Sequence, residues 1–259
     1  MRTLSVALVF LVAAATTGRA DWTIQSAQTE GARDGVEHRH IVLTDPEASS
    51  NATVDLAIFS TKSCTLRVIQ NEDGASNLAE VMTRGKCLAG VNGGYFSPDF
   101  APIGLLITDG NVVAPLQRAR LITGVLSAST HGVQIARVRE FSQQRKVNAA
   151  VQCGPFLVDL GQRTRGLDNS RSARRTFAAM DGSDRAALGF CSEITLLELA
   201  KILATEQLAE DFKILRALNL DGGSSSAFWF RRETSHAFSI SEQKTVRDFV
   251  AVVPRGSGD

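Results

Sequence analysis

The 259-residue chain lacks most of the short signatures from which function is commonly read. No G-x-G-x-x-G follows a strand-like run and no G-K-[ST] occurs, so nucleotide binding through a Rossmann or P-loop motif is excluded. Without a C-x-x-C spacing, neither a zinc ribbon nor a thioredoxin-like redox site has support. Neither sign of charge dominates: 28 Lys and Arg stand against 27 Asp and Glu, whereas a nucleic-acid binder normally needs a broad basic surface. The absence of a fixed-period repeat, a low-complexity tract or a Pro- or Ser-rich linker predicts one domain over residues 21–259.

What is present begins with a secretory signal. Arg2 precedes an apolar stretch from Leu4 to Ala15, and Gly18 and Ala20 form a small-residue exit. That stretch is short for a bilayer span and no later one is longer. The expectation is a secreted or periplasmic protein without stable membrane insertion once residues 1–20 are removed. An oxidising compartment permits disulfides, and of the three connectivities open to Cys64, Cys87, Cys153 and Cys191 the favoured one joins sequence neighbours, Cys64 with Cys87 and Cys153 with Cys191.

From Val36 onward, short alternating or apolar runs bounded by turn residues predict strands, among them "TVDLAIFS", "CLAGVN", "VNAAVQ", "LRALNL" and "DFVAVV". Two segments have helical character, "ASNLAEVMTR" and "SEITLLELAKILATEQL", the second with Ser192 as N-cap. Sequential strands with two inserted helices predict an α+β fold, a largely antiparallel sheet system with helices packed on one side.

Several Asp-Gly or Asn-Gly pairs need no more than a hairpin turn. Asp109-Gly110 and Asp181-Gly182 have strand-like flanks and read as such, with Asp181 a reserve carboxylate. Two others carry a second glycine, which lets something approach the backbone closely. "AGVNGGYF" places Asn92, Gly93 and Gly94 before the aromatic pair Tyr95 and Phe96, a plausible wall for a polar ligand such as a sugar, although both rings suit a core equally well. "LNLDGGSSS" places Asp221 before Gly222, Gly223 and Ser224. No G-x-S-x-G elbow is formed, so Asp221 is the group able to act as base or nucleophile, and the backbone N–H groups and hydroxyls are donors for an anionic oxygen.

Between them, "GQRTRGLDNSRSARRTF" crowds Arg163, Arg165, Arg171, Arg174 and Arg175 into one connection without a lysine. A guanidinium fork suits phosphate or carboxylate. Arg163, Arg165 and Arg171 read as a solvated loop; Arg175, beside Thr176 where a strand starts, has the better claim to a fixed position. "VQCGPFLV" adds a strand bend with Gln152, Gly154 and Pro155, since proline cannot donate to a ladder. His38, His40, His131 and His236 supply no third ligand, so no metal and no cofactor is expected, and solvent-facing strand positions are their default.

In this order, "VNGGYF", "PIGLLITDG", "QCGPFLV", "RRTF", "TLLELAKIL" and "LNLDGGSSS" resemble the phosphodiester glycosidase family, over roughly Val36 to Val253. The resemblance implies a surface cavity gathering Asn92, Gly93, Gly94, Gln152, Gly154, Arg175, Thr176, Asp221, Gly222 and Gly223, although "RTFAAMD" is less typical of the family. It implies hydrolysis of a sugar 1-phosphodiester through an oxocarbenium-like state, with a phosphate leaving group. Arg175 and the N–H groups of Gly222 and Gly223 would complement the phosphate, Asp221 would serve at the anomeric carbon or the attacking water, and Asn92 would orient sugar or phosphate. The competing class is a cell-envelope glycan or sugar-phosphate binding protein using the same cavity without turnover.

Overall fold

The computed structural model describes residues 22–256 apart from 32, 48, 143–145, 206–207, 209–210 and 234–235. The signal assigned to residues 1–20 lies outside the described residues. Every strand pairing among the described residues is antiparallel. An eight-stranded sheet runs, in spatial order, Thr23–Gly31, Glu37–Asp45, Ser50–Ser60, Arg185–Ile194, Ala173–Met180, Arg216–Asn219, Phe156–Asp159 and Gln162–Arg163. One five-stranded sheet contains Asn111–Ala114, Leu106–Thr108, Ala149–Cys153, Gly124–Ser129 and Gly132–Arg137. The other contains Phe238–Ile240, Phe228–Phe230, Ala89–Asn92, Asp248–Pro254 and Cys64–Gln70.

Successive side chains on a strand face opposite ways, and this period of two sorts the apolar residues into separate layers. Ala186, Leu188 and Phe190 join a central core with Val91, Val151, Leu218, Val250 and Val252. Their strand neighbours Ala187 and Cys191 join Phe177, Ala179 and Ala217 in a second core. That second core is closed by the helix Leu196–Leu203, which buries Leu199, Ala200, Ile202 and Leu203. Phe249 and Ala251 turn the other way, towards the helix Leu78–Arg84. This helix lies close because position 90 is glycine: a Cβ there would stand 2.2 Å from the Met82 sulfur.

Both helix starts are fixed by side chains. Asn77 and Glu80 form a reciprocal capping box. Thr195 accepts from the N–H of Glu198, so the cap is Thr195 and not Ser192. The preceding strand runs through Ile194, and the Ser192 hydroxyl instead accepts from the N–H of Thr53 across the sheet.

The expected disulfides are not formed. All four cysteines are free and buried, because the layers separate each sequence-adjacent pair. Cys64 and Cys153 face the central core, Cys87 packs under the Leu78–Arg84 helix and Cys191 faces the core of the Leu196–Leu203 helix. Burial raises the thiol pKa at all four, so they are protonated and poorly nucleophilic.

The two plain turns are plain. Asp109 and Gly110, both in the left-handed region at φ 47° and 79°, join Thr108 to Asn111. Asp181 spends its carboxylate on the turn, accepting from the N–H groups of Ser183 and Arg185, at the far end of the strand that begins with Ala173 and carries Arg175. That placement removes it as a reserve carboxylate.

Candidate active site

Four strand ends meet on one side of the central core. Ala89–Asn92 and Arg216–Asn219 end there, while Ala173–Met180 and Asp248–Pro254 begin there. Antiparallel register enforces the convergence, with Asn92 opposite Phe249 and Asn219 opposite Phe177. A cavity of about 590 Å³ opens at this point. Of the residues singled out from the sequence, Tyr95, Phe96, Arg175, Asp221, Gly222, Gly223 and Ser224 line it.

The other six stand behind the wall and shape it. Asn92 is fully buried. Its Nδ2 donates to the Asp221 carbonyl at 2.8 Å, and its Oδ1 accepts from the Thr176 hydroxyl at 2.7 Å and the Ala227 N–H at 3.0 Å. The amide is therefore occupied inside the protein, and the expectation that Asn92 orients sugar or phosphate gives way to a role in holding Asp221. Thr176, bonded to Asn92, is equally enclosed. Gln152 is consumed by four backbone contacts, accepting from Leu105 and Gln117 and donating to Gln117 and Ile122.

Gly93, Gly94 and Gly154 serve close approach. A Cβ on Gly93 would lie 1.8 Å from Oδ1 of Asp248, and one on Gly154 would lie 2.2 Å from the Leu121 carbonyl oxygen. The N–H groups of Gly93 and Gly94 donate to the backbone and side chain of Asp248. The Gly154 carbonyl accepts from the Tyr95 hydroxyl at 2.6 Å and from Nδ2 of Asn219 at 3.0 Å. These bonds fix the Tyr95 hydroxyl in the wall, while Phe96 packs edge-on against Phe100.

Arg175 is nine-tenths buried at 8% exposure. Its Nε donates to the Ile194 carbonyl at 2.9 Å and its Nη2 to the Arg171 carbonyl at 2.5 Å. It makes no ion pair with any described carboxylate. Burial lowers its pKa from the usual guanidinium value, and Arg171 adds to the fall, but a guanidinium stays charged in any such setting. The result is a cation at the cavity wall fixed by two neutral carbonyls, with Asp168 acting on it only at longer range.

Asp221 follows the strand Arg216–Asn219. Its Oδ1 accepts from the Gly222 N–H at 2.9 Å. Burial raises its pKa above the ordinary aspartate value, against the lowering effects of the Ser225 hydroxyl, the Gly222 N–H and Lys244. A carboxyl so placed is a better proton acceptor than a solvated one. Gly223, at φ 67° with open space where a Cβ would be, turns the chain where Gly222, Gly223 and Ser224 line the cavity.

Sequence reasoning missed four contributors and saw a fifth, Ser225, only as one of the hydroxyls of its motif. Arg171, read as a solvated loop residue, and Lys244, from a distant connection, add positive charge to the lining. Ser225 is buried against Asp221. Asn219 lines the cavity with Oδ1 unpaired, its Nδ2 being taken by Gly154, Leu220 and Tyr95; it immediately precedes the motif that was singled out. Asp248 lies beneath Gly93 and Gly94, and burial pushes its pKa up to about 7. No sequence signal marked it, because "RDFVAVV" reads as an ordinary strand start.

His38 also departs from expectation. It is buried, not solvent-facing, with its ring nitrogens 2.8 Å from Glu30 and 2.9 Å from Asp55. No group of three or more potential ligands that could hold a metal occurs among the described residues.

Comparison with known proteins gives the same direction. A family model described as phosphodiester glycosidase matches residues 85–253. The catalytic domain of zebrafish N-acetylglucosamine-1-phosphodiester alpha-N-acetylglucosaminidase, in a form auto-inhibited by its pro-peptide, superposes with a TM-score of 0.58 at 16% identity, covering 93% of this chain and 85% of that one. A hypothetical protein from Synechocystis superposes with a TM-score of 0.60 at 14% identity, over 89% and 64% of the two chains. At such identities the likeness is one of fold. Among curated proteins, the uncharacterized protein YigE of Escherichia coli (strain K12) is 30% identical over 91 residues, 32% of this chain and 36% of that protein. The match thus spans about a third of that relative's length.

Proposed function

Since the chain belongs to the phosphodiester glycosidase family, which suggests a glycosidase-type hydrolase, we propose that it is an exported enzyme cleaving a sugar 1-phosphodiester. The observation that carries this reading is the presence of a guanidinium without a contacting carboxylate among the described residues, Arg175, and a carboxyl of raised pKa, Asp221, on the wall of one cavity.

Arg175 clamps the phosphate, aided by Arg171, Lys244 and the main chain of Gly223, the Gly222 N–H being held by Asp221. Because Nε and Nη2 of Arg175 are already bonded to carbonyls, its Nη1 edge meets the ligand, at a fixed angle that costs little further ordering. Asp221 serves as base for water or as nucleophile at the anomeric carbon. The departing phosphate monoester is a good leaving group, so a strong general acid is dispensable and charge stabilisation does most of the work. Tyr95 and Phe96 flank the sugar ring, and Asn219 fixes Tyr95 from behind it. Asn92, Thr176, Gln152 and Gly154 are positioning residues. Export follows from the signal read at residues 1–20.

The test is turnover of a panel of sugar 1-phosphodiesters by the wild-type protein and Asp221→Asn. Asp221→Asn should lose turnover by about a hundredfold or more while retaining ligand affinity. Binding without wild-type turnover on any member of the panel would establish the glycan-binding alternative. Hydrolysis in oxygen-labelled water should place the label in the sugar; label in the phosphate would overturn glycosidic cleavage.

A further inference from the structure

A second concavity, of about 780 Å³, is lined by four arginines, Arg118, Arg120, Arg137 and Arg139, with Asp159 the one carboxylate in its wall. That carboxylate already carries two arginines, with Oδ2 bonded and Oδ1 approached only as an ion pair. Arg137 donates to it through Nε at 2.7 Å and pairs through Nη2 at 2.7 Å, and Arg216 approaches from the other side at 3.4 Å. Arg137 also lies over the Phe156 ring, 4.6 Å from its centroid, so its guanidinium is a held floor and not a waving chain. Arg118, Arg120 and Arg139 make no hydrogen bond or ion pair with any described residue.

Three exposed guanidiniums around one hollow, with Glu140 acting on Arg139 alone of the three, make it electropositive. A solvated basic face usually spreads such groups apart or intersperses carboxylates. The choice of Arg throughout, without lysine, favours a planar fork partner such as phosphate. Thr123 adds a donor: its Oγ1 accepts from the Phe156 N–H at 3.1 Å, which leaves its own hydroxyl hydrogen for the cavity. The volume is in the range of sites that take a ligand of several units rather than a lone ion.

This concavity adjoins the candidate active site through a short chain of contacts. Thr123 and Leu121 press on Gly154, whose carbonyl binds Tyr95 and Asn219 in the wall of the Asp221 cavity. We propose that the cavity formed by Arg118, Arg120, Arg137, Arg139 and Thr123 is an anion site for a phosphate-bearing chain, which holds a neighbouring phosphate of a ligand whose reacting phosphodiester lies at Arg175. Its role as an extension of the substrate site rests on the function proposed above; its binding of polyanionic phosphate does not.

The experiment compares binding of inorganic pentapolyphosphate, orthophosphate and an oligogalacturonate of similar charge to the wild type and to a triple variant, R118A/R120A/R139A. These three side chains are exposed and unbonded, so thermal unfolding of the variant should match the wild type. Pentapolyphosphate affinity should fall by about tenfold or more in the variant, since several charge-assisted contacts are removed. Orthophosphate should bind weakly and equally to both proteins, and oligogalacturonate should bind more weakly than pentapolyphosphate. Unchanged pentapolyphosphate affinity overturns the site; equal binding of oligogalacturonate overturns its selectivity for phosphate; and tight orthophosphate binding lost in the variant overturns the chain-length claim. With an active protein, kcat/KM on a substrate bearing one phosphodiester should be unchanged in the variant, while that on a substrate bearing a second phosphate should fall. Loss of pentapolyphosphate affinity in a protein that turns over no sugar phosphodiester would remove the hydrolase reading and leave this site standing.

Discussion

The side-chain amide of Asn92 donates to the carbonyl oxygen of Asp221 across 2.8 Å, although 129 residues separate them in the chain. The same amide receives Thr176 and Ala227, so one buried side chain joins the ends of three elements behind the cavity. Replacing Asn92 by Ala leaves a carbonyl, a hydroxyl and an N–H unpaired in an enclosed place, each costing about 1–3 kcal/mol. Asn92→Ala should therefore lower the urea midpoint strongly and lose activity together with it. Full stability in this variant would contradict the role assigned here.

Arg175→Lys separates charge from geometry. Lysine keeps the positive charge but cannot bond the Ile194 and Arg171 carbonyls and still present a second edge to a ligand. Affinity for a sugar phosphodiester should drop by about tenfold or more, with a stability change of about 1–3 kcal/mol from the unpaired carbonyls. Calorimetric titration and a denaturation curve on the same sample check both. Retained affinity would move the phosphate site elsewhere.

Three of the four glycines in the paired motifs differ in what they tolerate. Gly93→Ala forces a Cβ to within 1.8 Å of Asp248 and should prevent native folding or destabilise it severely. Gly222→Ala meets the Arg174 carbonyl at 3.1 Å and should be intermediate. Gly223→Ala has open space and suffers only its φ of 67°, a cost of about 1 kcal/mol. Soluble yield and melting temperature of the three variants give the order, which would be reversed if Gly223 were packed and Gly93 open.

Stability should depend on pH through Asp248. The unfolded chain releases this proton near the ordinary aspartate value of about 4, and the folded chain near 7 because burial disfavours the charge. Between those values the native state binds more protons than the unfolded one, so Asp248 makes stability fall as pH rises from about 4 to about 7, with no further fall above. Asp248→Asn keeps an acceptor for the Gly94 N–H and has no charge to bury. Its urea midpoint relative to wild type should rise between pH 4 and pH 8; a constant difference would show that Asp248 titrates normally.

Much of the fold was legible because the alternating runs from Val36 onward report burial on one side of a strand directly. Thr23–Gly31 was not, for it is an edge strand with its residues mostly exposed, and an exposed strand has no apolar period to read. The Asp-Gly turns, the "LDGG" and "NGG" motifs and Arg175 were visible as local chemistry. The disulfide expectation failed because nearness along the chain says nothing about which face of a sheet each thiol occupies.

By itself the sequence determined most of the strands and both helices, and which residue types carry charge, hydroxyls and bare backbone, because those properties are local. Only the tertiary structure decided that Arg175 and Asp221 share a cavity while Asn92, Thr176 and Gln152 stand behind it, and that Arg171, Asn219 and Lys244 join the wall. Whether a side chain faces a cavity or a core depends on antiparallel register and on the packing of three sheets. Those are set by contacts between residues far apart in the chain, with burial the dominant driving force.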